Sequence, residues 1–70
     1  MINTNLLKSE LLRKGFSYDN LANWLGKSTD AIYRRLSGKT EMSLKEAQII
    51  SRKLDLTDEV RAKIFLSDQM

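Results

Sequence analysis

Seventy residues carrying a net charge of +3, with no cysteine, no histidine and no proline, describe one small domain whose core must be economical. The missing cysteine excludes disulfides and thiolate metal sites. The missing histidine removes the commonest metal ligand and general base, so neither a cofactor nor an enzyme is expected. The charge is uneven: residues 1–53 hold ten Lys/Arg against five Asp/Glu, and residues 54–70 hold two against four. A basic front and an acidic tail point to a polyanion partner for the front, although an ordinary solvated surface could carry the same balance. Apolar runs such as Ile64, Phe65, Leu66 stop at three residues, far below the roughly 20 of a membrane span. The first residues, MINTNLLKSE, contain no apolar signal-peptide core, so a soluble, cytoplasmic protein is expected.

In chain order the pattern predicts five helices and no strand. The first runs from Thr4 or Asn5 to Lys14, with Leu7 and Leu11 inward and Leu6 or Leu12 flanking. Arg13 and Lys14 favour its negative end, and Gly15 supplies a left-handed stop. Ser17 can cap the second helix, with Phe16 placed to staple onto Leu21. Tyr18, Leu21, Ala22 and Leu25 share one face, and Gly26 ends the helix. Trp24 lies off that face, as expected for a ring partly buried at a helix junction. Ser28 opens the third helix two residues after Gly26, and Leu36 and Gly38 close it. In SLKEAQ, Ser43 and Glu46 form a capping-box pattern opening a fourth helix, whose stripe is Leu44, Ala47, Ile50 and Leu54. Thr57 caps the fifth, with Asp58 and Glu59 at its positive end and Val60 and Ile64 one turn apart.

The third helix divides into two faces. At 100° per residue Ile32 and Leu36 fall together, while Asp30, Tyr33, Arg34 and Ser37 fall on the other side. A major groove admits such a helix: Arg34 could grip guanine through two bonds, Thr29 could offer a hydroxyl or a methyl, and Asp30 could accept from a cytosine amine. Each has an ordinary alternative. Asp30 in the first turn stabilises the helix dipole without any partner, and its charge would be repelled by phosphates. Tyr33 could stack on a sugar or a thymine methyl, or cover the edge of the core. Lys27, Arg35 and Lys39 bracket the surface and suit phosphate contact, which positions a protein without reading sequence. Ala22 allows two helices to approach closely, and Gly26 permits the positive φ of a short turn.

Gly15, Ser17, Leu21, Ala22, Gly26, Ile32 and Gly38, followed by SLKEAQIISRKLDL, resemble the helix-turn-helix proteins of the phage repressor and Cro type, within the XRE-like family. The similarity is nearest to small phage or prophage Cro-like regulators, through YRRLSGK and LTDEVRAKIF, and covers nearly the whole chain. The resemblance implies an all-α, five-helix, lambda-repressor-like DNA-binding domain over residues 1–70, with the helix-turn-helix at the second and third helices. It implies base contacts from Ser28, Thr29, Asp30, Tyr33 and Arg34. Phosphate contacts would come from Tyr18, where relatives often have glutamine, and from Ser37 and the backbone N–H groups of Gly38, Lys39 and Thr40. Arg35 stands where many relatives are apolar; Leu36 is expected to take over that packing, leaving Arg35 free to reach the DNA backbone.

Such proteins commonly act as homodimers on double-stranded operator DNA, and a weak homodimer assisted by DNA, or formed only on it, is the expectation for this chain. Val60, Ile64, Phe65, Leu66 and Met70 supply a possible dimer surface, although Val60, Ile64 and Phe65 could instead complete the monomer core. If five phosphates per protomer are neutralised, log affinity should fall with log salt at a slope of about −4 to −5. The function expected is therefore a sequence-specific repressor. The alternative is an antirepressor or co-repressor of the same fold that binds a partner repressor protein, favoured by Asp30 on the reading face and by the apolar, acidic tail.

Overall fold

The computed structural model describes residues 2–66, and among these all regular structure is helical. The helices are α1 (Thr4–Lys14), α2 (Tyr18–Leu25), α3 (Thr29–Leu36), α4 (Leu44–Lys53) and α5 (Asp58–Phe65). None is long and apolar enough to cross a membrane. The Cα radius of gyration is 11.0 Å, matching the roughly 11 Å expected of a folded chain of this length.

Spacing explains which residues go inside. Leu7 and Leu11 on α1, Leu21 and Ala22 on α2, Ile32 on α3, Ile50 and Leu54 at α4, and Ile64 on α5 form one buried cluster. Each pair lies one or four apart, as one side of a helix requires. α2 packs against both α3 and α4, while α1 packs against α5. The Asn3 N–H donates to the Ile64 carbonyl at 2.8 Å, fastening the start of the chain to α5.

The helix starts follow the expected chemistry. The Asn3 side chain accepts from the Leu6 N–H, Ser28 from Ala31, Ser43 from Glu46 and Thr57 from Val60. At Ser43 the Glu46 carboxylate also accepts from the Ser43 N–H at 3.0 Å, completing the capping box. At α2, Asn20 reaches back and accepts from the N–H of the N-cap residue Ser17 at 2.8 Å.

Four helices end in the same way. After each, the chain turns left-handed and two backbone N–H groups fold back onto the last turn: at α2, Gly26 donates to Asn23 and Lys27 to Ala22; at α4, Asp55 donates to Arg52 and Leu56 to Ser51. Gly15 and Gly38 do the same for α1 and α3. At Gly26, with φ +66°, a Cβ would meet nothing within 4 Å. The sign of φ, and not lack of room, is what favours glycine there. Asp55 holds a φ of +53° with a Cβ, a conformation that L-residues adopt at a cost.

One expectation about packing is corrected. Leu44 does not join the α4 stripe and is 74% exposed, its place being taken by Ser51, whose hydroxyl donates to the Ala47 carbonyl. Of the flanking leucines on α1, Leu6 is partly buried and Leu12 exposed. Charge is buried as well: Glu10 lies within the α1 surface, 2.7 Å from the Arg13 guanidinium and 3.7 Å from the Lys14 ammonium. Lys14 in turn donates to the Leu54 and Asp55 carbonyls, tying α1 to the turn that ends α4.

Candidate nucleic-acid interface

The buried side of α3 is Ile32, with Leu36 partly buried beside it, and the outward side carries Thr29, Asp30, Tyr33 and Arg34. Ser28 begins the helix. Its hydroxyl oxygen accepts from the Ala31 N–H at 3.1 Å, which leaves the hydroxyl hydrogen free to donate outward. Lys27 and Lys39 are exposed at the two ends of this helix. The structure thus brings together the five residues expected to meet bases and two of the cations expected to flank them.

Tyr18 and Tyr33 meet across the α2–α3 junction. Their ring centroids are 5.5 Å apart at an interplanar angle of 83°, an edge-to-face contact. Tyr33 is more than half exposed: its ring packs against Tyr18 and still faces outward. Burial, followed by the nearness of Tyr33, raises the Tyr18 pKa above its usual value, so the phenol remains protonated and able to donate at neutral pH.

Asp30 and Arg34 lie one turn apart on the outward side, with Oδ2 and Nη2 separated by 3.0 Å. Both side chains are well exposed, so the pair is weak in water and readily exchanged for another partner.

Arg35 departs from its expected place. Its guanidinium donates from Nε and Nη2 to the two carboxylate oxygens of Glu46, each at 3.0 Å, and from Nη1 to the Ala31 carbonyl at 3.0 Å. The side chain is 12% exposed. Leu36 does not displace it outward; Arg35 runs along the α3–α4 junction, held there by Glu46. The hydrogen bonds from Arg35, then that from the Ser43 N–H, together with the charges of Arg35 and Lys27, hold the Glu46 carboxyl below its usual range against the opposing effect of burial.

The loop after α3 is also internally engaged. The Lys39 and Thr40 N–H groups donate to the Arg34 carbonyl at 2.9 and 3.1 Å, and the Gly38 N–H donates to Arg35 at 3.3 Å. The Ser37 hydroxyl donates to the same Arg34 carbonyl at 3.1 Å. These four groups close the helix end and are not free donors for an external phosphate. The Lys39 ammonium projects from this loop as a separate charge.

The expected dimer surface divides. Ile64 is fully buried in the monomer, and Val60 and Phe65 pack against the core, whereas Leu66 is 72% exposed. Ile64 is therefore core and not interface. Met70 lies outside the described residues.

The sequence pattern alone does not reveal the tertiary contacts of Glu46 with Arg35 or of Lys14 with the Leu54 and Asp55 carbonyls. Glu46 carried a local signal as a capping-box residue, but the pattern is silent about a second partner eleven positions away. Trp24 is partly buried with its ring edge-to-face on Phe16, centroids 5.0 Å apart, as expected of a junction residue. Comparison of the chain with protein-family models, with curated proteins and with solved structures gives no match.

Proposed function

We propose that the chain is a sequence-specific DNA-binding transcriptional regulator of Cro-like type, a repressor that blocks transcription by occupying operator DNA. In this reading α2 and α3 form the helix-turn-helix of a lambda-repressor-like domain, and α3 enters the major groove. One observation carries it: α3 is anchored by buried Ile32 while its exposed residues Thr29, Asp30, Tyr33 and Arg34 stand between exposed Lys27 and Lys39. Arg34 has the donor geometry to grip guanine, and Thr29 and Tyr33 can meet a base edge or a thymine methyl. Lys27, Lys39 and the protonated Tyr18 hydroxyl hold phosphates and fix the register. One such module offers few base contacts, so a homodimer on two half-sites about one helical turn apart is the working form.

Selection of bound duplexes from a random pool tests the reading. A palindromic consensus with half-sites about 10 base pairs apart is expected. Failure to enrich any sequence overturns it.

A second reading is favoured by the same geometry. Arg35 and the loop donors are engaged within the protein, leaving fewer phosphate ligands than the sequence suggested, and Asp30 stands exposed among the cations. That surface suits a partner protein, making the chain an antirepressor or co-repressor. A complex with the partner repressor, detected by size-exclusion chromatography without DNA, together with no sequence enrichment by the chain alone, establishes this second reading over the first.

A further inference from the structure

We propose that Asp30 is a specificity-determining residue, which holds the Arg34 guanidinium poised for a guanine in the major groove and discourages its transfer to phosphate. The inference rests on the DNA-binding reading above. It starts from an apparent conflict: an acidic side chain 73% exposed stands on the side of α3 that also carries Arg34 and is bracketed by Lys27 and Lys39. A surface shaped only for affinity to a polyanion would be better without it.

The geometry resolves the conflict. Asp30 Oδ2 lies 3.0 Å from Arg34 Nη2, one turn along the helix, with the acid on the N-terminal side, the favoured order for such a pair. A guanidinium has five N–H donors in a planar fork, so contact through Nη2 leaves donors for the O6 and N7 acceptors of guanine. The second oxygen of Asp30 can accept from a cytosine amine, so the pair is suited to a step rich in G·C. The other arginine of this helix, Arg35, is bound to Glu46 and cannot substitute for Arg34.

An unpaired Arg34 would swing freely and reach the nearest phosphate, adding affinity for every sequence alike. The pair is weak while both side chains face water and strengthens where the groove excludes water, so on DNA Asp30 biases Arg34 toward the groove and is itself repelled wherever no G·C pair compensates. Asp30 therefore lowers affinity for random DNA more than for the preferred site.

The experiment measures dissociation constants for the selected duplex, for that duplex with each guanine replaced, and for random DNA. It uses the full chain and its Asp30→Ala, Asp30→Asn and Asp30→Glu variants, each checked for folding by thermal unfolding. Asp30→Ala and Asp30→Asn should bind random DNA more tightly by a few-fold and lose roughly tenfold of the preference for one guanine. Asp30→Glu, which keeps the charge one turn from Arg34, should recover much of that preference.

A merely structural role at the start of α3 would weaken binding to all DNA equally, and that outcome overturns the inference. If the wild-type chain shows sequence preference and the Ala and Asn variants keep it, the inference alone fails. If the wild-type chain shows no preference for any sequence, the DNA-binding reading falls as well.

Discussion

The Arg35 guanidinium and the Glu46 carboxylate meet through two hydrogen bonds of 3.0 Å, and this fork joins α3 to α4 where both side chains are largely withdrawn from water. A two-pronged contact fixes direction as well as distance, because both the guanidinium and the carboxylate are planar. The same Glu46 caps its own helix through the Ser43 N–H. One carboxylate therefore sets where α4 begins and how α3 lies against it.

Removing one member should leave the other charged and poorly solvated. Glu46→Gln and Arg35→Ala are each expected to lose about 2–3 kcal/mol, lowering Tm by roughly 10 °C or more in a domain this small. Replacing both with apolar residues of similar volume should recover much of the loss, since the pair itself bears a desolvation cost. Thermal unfolding followed by circular dichroism is the measurement, and single variants with an unchanged Tm would show that the fork contributes nothing.

The same pair dictates a response to acid. Glu46 has a folded-state pKa below its ordinary 4.5, chiefly through its hydrogen bonds to Arg35. A group depressed in this direction contributes stability that is complete above the unfolded value and is lost as pH falls through the folded one. The Tm gap between wild type and Glu46→Gln should therefore be widest near neutrality and narrow progressively below pH 4.5. A gap independent of pH would assign the effect to packing or to the helix cap. In Arg35→Ala, the Glu46 carboxyl, followed by NMR, should titrate at higher pH than in wild type.

At the end of α4, Asp55 occupies the left-handed position that glycine holds after α1, α2 and α3. Its backbone N–H makes the same closing bond, to Arg52 at 3.1 Å, so the hydrogen bonding is intact and only the conformation is costly. Asp55→Gly should raise stability by about 0.5–1 kcal/mol, and Gly26→Ala should lower it by about 1 kcal/mol. Urea unfolding of the two variants beside wild type separates the effects. A destabilised Asp55→Gly would mean that the Asp55 side chain makes a stabilising contact outweighing its backbone strain.

How far these features can be read without coordinates depends on how local their causes are. Caps at Ser28, Ser43 and Thr57 and the stops at Gly15, Gly26 and Gly38 are decided within a few residues, and the five helices follow from them. The two faces of α3 are legible for the same reason, since Ile32 and Arg34 are separated by helical geometry alone. Leu44 misleads because it lies about 70° from the centre of the stripe formed by Ala47, Ile50, Ser51 and Leu54, close enough to satisfy a three-or-four spacing. Arg35 misleads more seriously. Whether a cation on the flank of a helix turns outward or inward depends on what the neighbouring helix presents, and Glu46 comes within reach only when α3 and α4 are packed. The loop after α3 hides its chemistry in the same way, because backbone donors that a sequence leaves open are closed by the turn itself.

Engagement of Arg35 and of the loop donors changes what salt should do to DNA binding. Five neutralised phosphates per protomer would give a slope of about −4 to −5 in log affinity against log salt. On the proposed DNA-binding reading, with Arg35 bound to Glu46, Arg34 assigned to a base and Tyr18 uncharged, Lys27 and Lys39 would be the principal phosphate cations on this surface, and Arg34 would add at most one more. A slope of about −2 to −3 per protomer is therefore expected. Lys39→Ala should weaken binding to operator and random DNA alike and make the slope shallower by about one unit. Arg35→Ala provides the control: in protein kept folded at low temperature, its slope should equal that of wild type. A slope shallower by one unit in Arg35→Ala would mean that Arg35 leaves Glu46 for a phosphate when DNA binds, and that the α3–α4 junction is remade in the complex.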